Sequence, residues 1–203
     1  RLAMTGEYDA ALQTAAEAVA ANSYGEDWWL LKAEMELTLG RYADAKDTLV
    51  AALDKYQWSI RVRARLRDAS RFAGDGELAA AQIPAILKQV DSSAWRYSDA
   101  ESLLTLGWLT LEMGADAKTV QDTFFKRAQR NYPSNPGGTL ALGELALAKR
   151  DFALAAESFR SIEKPFADDP RVHYGLARAL DNSDSKAAQA ALAKSLEINP
   201  RHI

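Results

Sequence analysis

The sequence predicts an all-α fold of repeated helix pairs, and three observations carry this prediction. Residue types recur at a fixed spacing, since Gly6 and Gly40 lie 34 residues apart and so do Tyr8 and Tyr42. Apolar residues between these marks recur every three or four positions, which is the period of one helix face. No stretch shows the apolar and polar alternation of a half-buried strand. Such a repeat is typical of a solenoid, in which each unit buries its apolar face only against its neighbours.

Turn and capping residues place the helices within this repeat. Gly or a polar residue ends the first helix of a pair, an aromatic residue soon after opens the second, and small Ala residues let helices approach closely. Later helices start at caps: we predict a capping box of Ser98 with Glu101, and caps at Asn135 and Asp169, each followed by Pro. In chain order, the predicted helices cover residues 7–22, 26–39, 42–56, 59–73, 76–90, 98–113, 117–131, 136–149, 152–163, 170–181 and 185–198.

Three places disturb the repeat. Residues 91–99 form the longest break between helices, so a single domain over residues 1–203 would have its seam there. Pro84 lies inside a predicted helix, where its missing amide predicts a kink. Between Gly114 and Phe125 the chain carries two residues more than the period allows. We expect about six helix pairs, with incomplete pairs at both ends.

Composition and charge limit the classes of function. The chain of 203 residues is 48% hydrophobic and 26% charged, as in folded globular proteins. Its net charge of −3 gives no general attraction for phosphate backbones, so we expect no nucleic acid partner. The absence of cysteine excludes disulfides, thiolate zinc sites and thiol nucleophiles. No apolar run approaches the roughly 18 residues of a membrane span, so we expect no membrane insertion.

The two ends of the chain suggest a segment of a longer protein. The chain begins with Arg1, not Met, in a stretch that looks like part of a helix before the first one predicted in full, and it stops at Ile203, where another repeat would begin. Its first residues lack the charged and then apolar build of a secretory signal. We therefore expect any targeting segment to lie outside this chain, and the compartment stays unknown from the sequence.

Several repeats resemble the tetratricopeptide repeat (TPR) family, and the resemblance covers nearly the whole chain. Trp29 stands where the family's opening aromatic falls, and Ala33 at its small close-contact position. Further matches are "GRY" at 40–42, "LG" at 106–107 and 142–143, and "ALAKSLEINP" at 191–200. This chain departs from the family pattern at two positions. Arg67 stands where a small buried residue is usual, and Gly76 stands where an aromatic usually opens the second helix. The resemblance implies a right-handed α-α superhelix whose first helices line a concave groove that holds a peptide or a partner helix.

An RNA-binding helical repeat of the pentatricopeptide type is the nearest alternative. Its period is one residue longer, its arrays are usually basic, and it lacks the "LG" and "GRY" punctuation of this chain. The TPR resemblance is therefore the better match.

One predicted helix is crowded with arginines that flank an apolar stripe: Arg61, Arg63, Arg65, Arg67 and Arg71. In the TPR alignment, Arg61 and Arg65 face the groove near Asp68 and would grip a carboxylate or phosphate. The alternative is a solvated face that pairs with Asp68 and nearby Glu residues. The family's clamp for a terminal carboxylate adds two asparagines to such a basic pair, but Leu31 stands at one of those places.

The same alignment puts further side chains on the groove side. We predict Trp108 and Tyr174 as apolar anchors, with Glu34, Glu144 and Arg178 as polar neighbours. The other tryptophans have packing roles in this prediction: Trp29 in the core, and Trp28, Trp58 and Trp95 as wedges between repeats.

Catalysis finds no support in the sequence. The two histidines, His173 and His202, lie in separate repeats, and there is no HExxH motif and no Gly-rich phosphate loop. His173 falls where an opening aromatic is expected, so we predict a packing role. We expect no catalytic residue, no metal site and no cofactor.

The sequence therefore predicts a non-catalytic scaffold that binds a protein or peptide in the groove. The alternative is the recruiting arm of a larger enzyme, because Ala-rich TPR regions resemble those of large bacterial proteins that carry a gluzincin-type metallopeptidase domain. A third hypothesis is self-association through apolar faces at the incomplete end repeats.

Overall fold

The structure, a computed structural model, describes residues 1–21 and 25–202. Helices form all of the regular structure in these ranges: α1 (Tyr8–Ala20), α2 (Glu26–Thr38), α3 (Tyr42–Lys55), α4 (Ile60–Phe72), α5 (Gly76–Ser93), α6 (Ala100–Glu112), α7 (Ala117–Val120), α8 (Lys126–Asn131), α9 (Gly137–Ala148), α10 (Phe152–Glu163), α11 (Pro170–Leu180) and α12 (Ser185–Ile198). A short 3-10 turn, Ala94–Arg96, follows α5, and a π turn, Gln121–Phe125, joins α7 to α8. The predicted all-α fold is confirmed, while the predicted end of the first helix at residue 22 lies outside the described residues.

The described residues form two compact units that meet in sequence between Ser98 and Asp99. The leading unit consists of residues 7–98 with Leu2, and the trailing unit runs from Asp99 onward and includes Arg1 and residues 3–6. That the whole chain is one solenoid with a seam at 91–99 stays a prediction.

Helix pairing repeats inside each unit. In the leading unit, α1 packs on α2, α2 on α3, α3 on α4 and α4 on α5, and α2 also contacts α4. In the trailing unit, α9 to α12 pack consecutively, α6 contacts α9, and α9 contacts α11. The first helices of successive pairs (α2 and α4, then α6, α9 and α11) thus contact one another directly, as the predicted helix-pair array requires.

Two side-chain contacts report the 34-residue period directly. Asn135 Nδ2 donates to Glu101 Oε1 at 2.9 Å, and Arg178 Nη1 donates to Glu144 Oε2 at 2.9 Å. Both pairs join residues 34 positions apart, so the sequence repeat corresponds to a repeat in space.

Glycines of the trailing unit make room for two buried phenylalanines. Phe125 and Phe159 are fully buried, and a Cβ on Gly107 would lie 2.3 Å from Phe125 Cε1. A Cβ on Gly143 or Gly175 would lie 2.6 or 2.4 Å from the ring of Phe159. The "LG" punctuation of the sequence therefore marks places where a second helix inserts an aromatic ring against a first helix.

The π turn explains one of the two extra residues in the third complete repeat. Phe159 lies eight positions after its helix cap Asp151, whereas Phe125 lies nine positions after its cap Asp116. The wider hydrogen-bonded ring of the π turn at 121–125 absorbs this residue inside the helix. The other extra residue precedes Asp116, in the loop after Gly114. Phe125 therefore reaches its buried position despite the insertion.

The predicted helix caps are confirmed only in part. Asp169 caps α11, where its Oδ1 accepts from the Arg171 amide at 3.0 Å. Asn135 Oδ1 accepts from the Gly137 amide at 2.8 Å, but the cap position of α9 is Pro136 and not Asn135. The predicted capping box of Ser98 with Glu101 is wrong, because Asp99 caps α6 by accepting from the Ser102 amide. A carboxylate one residue nearer the helix serves the same amides better than the serine hydroxyl. α5 runs past Pro84 to Ser93, beyond its predicted end, and the kink stays a prediction.

Replacing Arg150 by Gly is expected to stabilise the protein. Arg150 has φ of 62° and closes the turn after α9, where Gly40 with φ of 75° closes the corresponding turn after α2. A left-handed L-residue costs roughly 1–2 kcal/mol, which exceeds the extra entropy that Gly loses on folding. We expect urea unfolding followed by circular dichroism to show a gain of about 0.5–1 kcal/mol. The reverse change, Gly40→Arg, should destabilise; a loss of stability in Arg150→Gly would contradict this account.

Candidate partner-binding surface

Three predicted groove residues of the trailing unit come together. Glu144 on α9 and Arg178 on α11 form an ion pair, with 2.9 Å between Glu144 Oε2 and Arg178 Nη1, and both side chains are partly exposed. The Arg178 guanidinium lies over the Tyr174 ring, 5.7 Å from its centroid. Tyr174 also meets the ring of His202 edge-on at 5.2 Å. The result is a connected patch of one aromatic ring and paired charges on successive first helices.

Trp108 supplies an exposed aromatic surface on α6. Trp108 is 38% exposed. Its ring centroid lies 5.0 Å from that of the buried Phe125, and the planes of the two rings are tilted by 46°. Because Phe125 is itself held against Gly107, the indole rests on a rigid support. Trp108 therefore offers apolar surface to a partner at little cost in side-chain entropy.

The predicted basic pair of the leading unit is not equally available. Arg61 is held by two carboxylates of α2, with Nη1 at 3.0 Å from Glu26 Oε1 and Nη2 at 2.8 Å from Asp27 Oδ1. Arg65 is exposed on the same helix. An incoming anion would compete with two carboxylates for Arg61, so the anion grip by Arg61 and Arg65 stays a prediction.

The remaining predicted groove residues of the leading unit differ in exposure. Glu34 on α2 is exposed, while Asp68 on α4 is half-buried. The predicted core stripe of α4 is present, because Val62, Leu66 and Ala69 are buried. The place of Glu34 and Asp68 in a groove stays a prediction.

Two tryptophans differ from the prediction. Trp58 is 56% exposed and Trp95 is 75% exposed, so the prediction that they wedge between repeats is wrong. The guanidinium of Arg96 lies over both rings, and the sequence predicts no role for this residue. The signal that would have found it is the Trp-Arg pair directly after a helix. Trp29 is half-buried against the core of α2 to α4, with Lys55 Nζ 5.2 Å from its ring centroid.

Neither histidine is fully exposed: His173 is buried and His202 is half-buried. His173 is buried, and its Nε2 lies 2.8 Å from the Ala167 carbonyl oxygen, as the predicted packing role requires. Burial is the main cause that holds the pKa of His202 below its usual value.

Across residues 1–21 and 25–202, no group of three or more His, Cys, Asp or Glu side chains is placed to hold a metal ion. In the same ranges, no helix is both long and apolar enough to cross a membrane.

Comparison with known proteins relates this chain to solved structures only. No protein-family model and no curated protein sequence matches it. The crystal structure of YrrB, described as a TPR protein with an unusual peptide-binding site, is 12% identical with a TM-score of 0.46, and 95% of each chain is covered. A chain of the APC/C hetero-tetramer Cut9–Hcn1 is 15% identical with a TM-score of 0.48; the match covers all of this chain and 45% of that one.

The TPR-type fold predicted from the sequence is confirmed by the chain's own geometry. Helix pairs, direct contact between successive first helices, and side-chain contacts at the 34-residue offset are all present in the described residues.

Proposed function

We propose that this chain is a non-catalytic scaffold that binds a protein or peptide along the row of its first helices. The observation that carries the proposal is a row of side chains that reach the surface of the trailing unit: the exposed Trp108 on α6 and Arg178 on α11, and the half-buried Glu144 on α9 and Tyr174 on α11. Trp108, Glu144 and Arg178 stand one repeat apart on successive first helices, and Tyr174 lies one helical turn before Arg178, so the row combines aromatic with charged surface. An extended peptide that follows the row meets an anchor and a charged pair in succession.

The aromatic side chains must supply most of the binding energy. An exposed ion pair such as Glu144 with Arg178 contributes about 0–1 kcal/mol, whereas micromolar binding requires about 8 kcal/mol. Exposed aromatic rings on rigid supports are the residue type that most often anchors an interface. The charged pair then serves mainly to orient the ligand and to select against wrong ones.

Removing both anchors is expected to weaken partner binding at least tenfold. The immobilised chain would be panned against a displayed random peptide library, and selected peptides would be titrated by calorimetry against the wild type and Trp108→Ala with Tyr174→Ala. The expected loss exceeds about 1.4 kcal/mol, which corresponds to a factor of ten.

A matched control for this experiment is Phe72→Ala. Phe72 is an exposed aromatic of the leading unit, at the end of α4, outside the proposed row. It should leave the affinity of the selected peptides unchanged. Equal affinity of the doubly substituted chain and the wild type for every selected peptide would refute the proposed row. The recruiting-arm alternative shares this surface and differs only in what lies beyond the chain.

A further inference from the structure

An exposed cation between two indoles stands at the end of the leading unit. The Arg96 guanidinium carbon lies 4.9 Å from the ring centroid of Trp95 and 5.6 Å from that of Trp58. All three side chains are exposed. Stacking on aromatic rings covers the faces of a guanidinium and leaves the N–H groups along its edge free to donate.

The cluster is held in place by hydrogen bonds beneath it. Tyr97 is buried, and its hydroxyl donates to the Trp58 carbonyl oxygen at 3.1 Å. Gln89 Nε2 at the end of α5 donates to the Gln57 carbonyl oxygen at 2.7 Å. The first bond joins the loop of Trp58 to the segment that carries Trp95 and Arg96, and the second joins the same loop to α5. The arrangement therefore exists before any ligand arrives.

Two arginines, Arg63 and Arg96, bring positive charge to the cluster. Arg63 on α4 donates to Gln82 Oε1 and to the Gln57 carbonyl oxygen, both at 3.4 Å. Neither Arg63 nor Arg96 pairs with a carboxylate in the described part of the chain. Burial is the main cause that lowers the pKa of Arg63, and Tyr97 acts in the opposite direction. Burial raises the pKa of Tyr97, while the charges of Arg96 and Arg63 act to lower it.

We propose that Trp58, Trp95 and Arg96 form a second docking site, which takes an acidic side chain of a peptide from a protein partner. The carboxylate would accept from the edge of the Arg96 guanidinium, and the indoles would cover apolar residues that flank it. Arg63, which donates to the Gln57 carbonyl oxygen next to Trp58 in the chain, adds positive potential. The chain as a whole is acidic, with a net charge of −3, so an acidic peptide is attracted by this local charge and not by the general field. The site lies in the leading unit and is independent of the row proposed above.

A short acidic peptide tests the site directly. The probe is Glu-Leu-Glu-Glu-Leu-Glu, capped at both ends, with a counterpart that has Gln for every Glu. The readout is the pair of indole N–H signals of Trp58 and Trp95 in an NMR titration, assigned with the Trp58→Phe and Trp95→Phe variants. We expect saturable shifts of both signals with the acidic peptide and at least about tenfold weaker binding to Arg96→Gln.

Two matched variants make the outcome decisive. Arg71→Gln removes an exposed arginine at the end of α4, outside the cluster, and should leave the titration unchanged. Trp108→Ala with Tyr174→Ala should also leave it unchanged, so this site and the proposed row fail separately. Weaker binding to Arg65→Gln than to Arg96→Gln would assign the peptide to the predicted basic grip and overturn the proposal. Equal shifts with the Gln counterpart, or with inorganic phosphate alone, would also overturn it.

Discussion

Replacing Phe159 by Ala is expected to lower the free energy of unfolding by about 3–5 kcal/mol. The ring is fully buried in the core of α9 to α12 and lies against Gly143 and Gly175. Since neither glycine has a side chain that can move into the space, the cavity would collapse little, which places the loss at the upper end. Urea unfolding followed by far-ultraviolet circular dichroism measures it, with the slope compared to check that one transition is followed.

The control for Phe159 is a phenylalanine on the same helix. Phe152 opens α10 and is 37% exposed, so Phe152→Ala should cost no more than about 1 kcal/mol. A similar loss in both variants would mean that the fit of Phe159 against the two glycines contributes nothing special. The complementary change Gly143→Val should also destabilise, by about 1–3 kcal/mol, because its Cβ would lie 2.6 Å from the Phe159 ring.

Replacing Lys32 by Met is expected to cost about 3 kcal/mol in the leading unit. Lys32 Nζ lies 2.6 Å from Glu36 Oε1 and also bonds the Thr48 hydroxyl. The Glu36 side chain is only 3% exposed, and its Oε2 has no hydrogen-bond partner. Removing the ammonium would leave a buried carboxylate without an ion pair, which costs far more than the pair itself contributes. Thermal and urea unfolding measure the loss.

A rescue experiment separates the buried charge from lost packing. In Lys32→Met with Glu36→Leu both charges are gone, and stability should return to within about 1 kcal/mol of the wild type or exceed it. The exposed pair of Lys194 with Glu197, 46% and 70% exposed, is the control, and Lys194→Met should change stability by less than about 1 kcal/mol. A double variant no more stable than Lys32→Met would show that the loss does not come from the unpaired Glu36 carboxylate.

The helix-pair repeat was predictable because each repeat ends its first helix and packs its second helix with the same residue types at the same spacing. A helix ends at the same place in each, at Gly40 or Gly114 and at Arg150 in the same left-handed conformation. The excess between Gly114 and Phe125 was also visible in the sequence, but its division between a loop residue and a π turn was not. That division depends on where the buried ring must sit against the neighbouring first helix.

The candidate site was predictable only in part. The alignment that placed Glu144 and Arg178 on one row is matched by their ion pair at an offset of one repeat. The same alignment could not tell that Glu26 and Asp27 hold Arg61, because that contact joins two helices. It also assigned Trp58 and Trp95 to packing, since a large apolar residue near a helix end is more often buried than exposed.

By itself, the sequence determined the fold class, the repeat length, most helix boundaries and the absence of cysteine chemistry. These features follow from spacing along the chain, where glycines, caps and apolar periodicity act over a few residues. Only the tertiary structure decided which charges are already paired, which aromatic rings are buried, and that Arg96 lies between two indoles. Those properties depend on side chains from different helices meeting in space, and no local pattern encodes the distance between them.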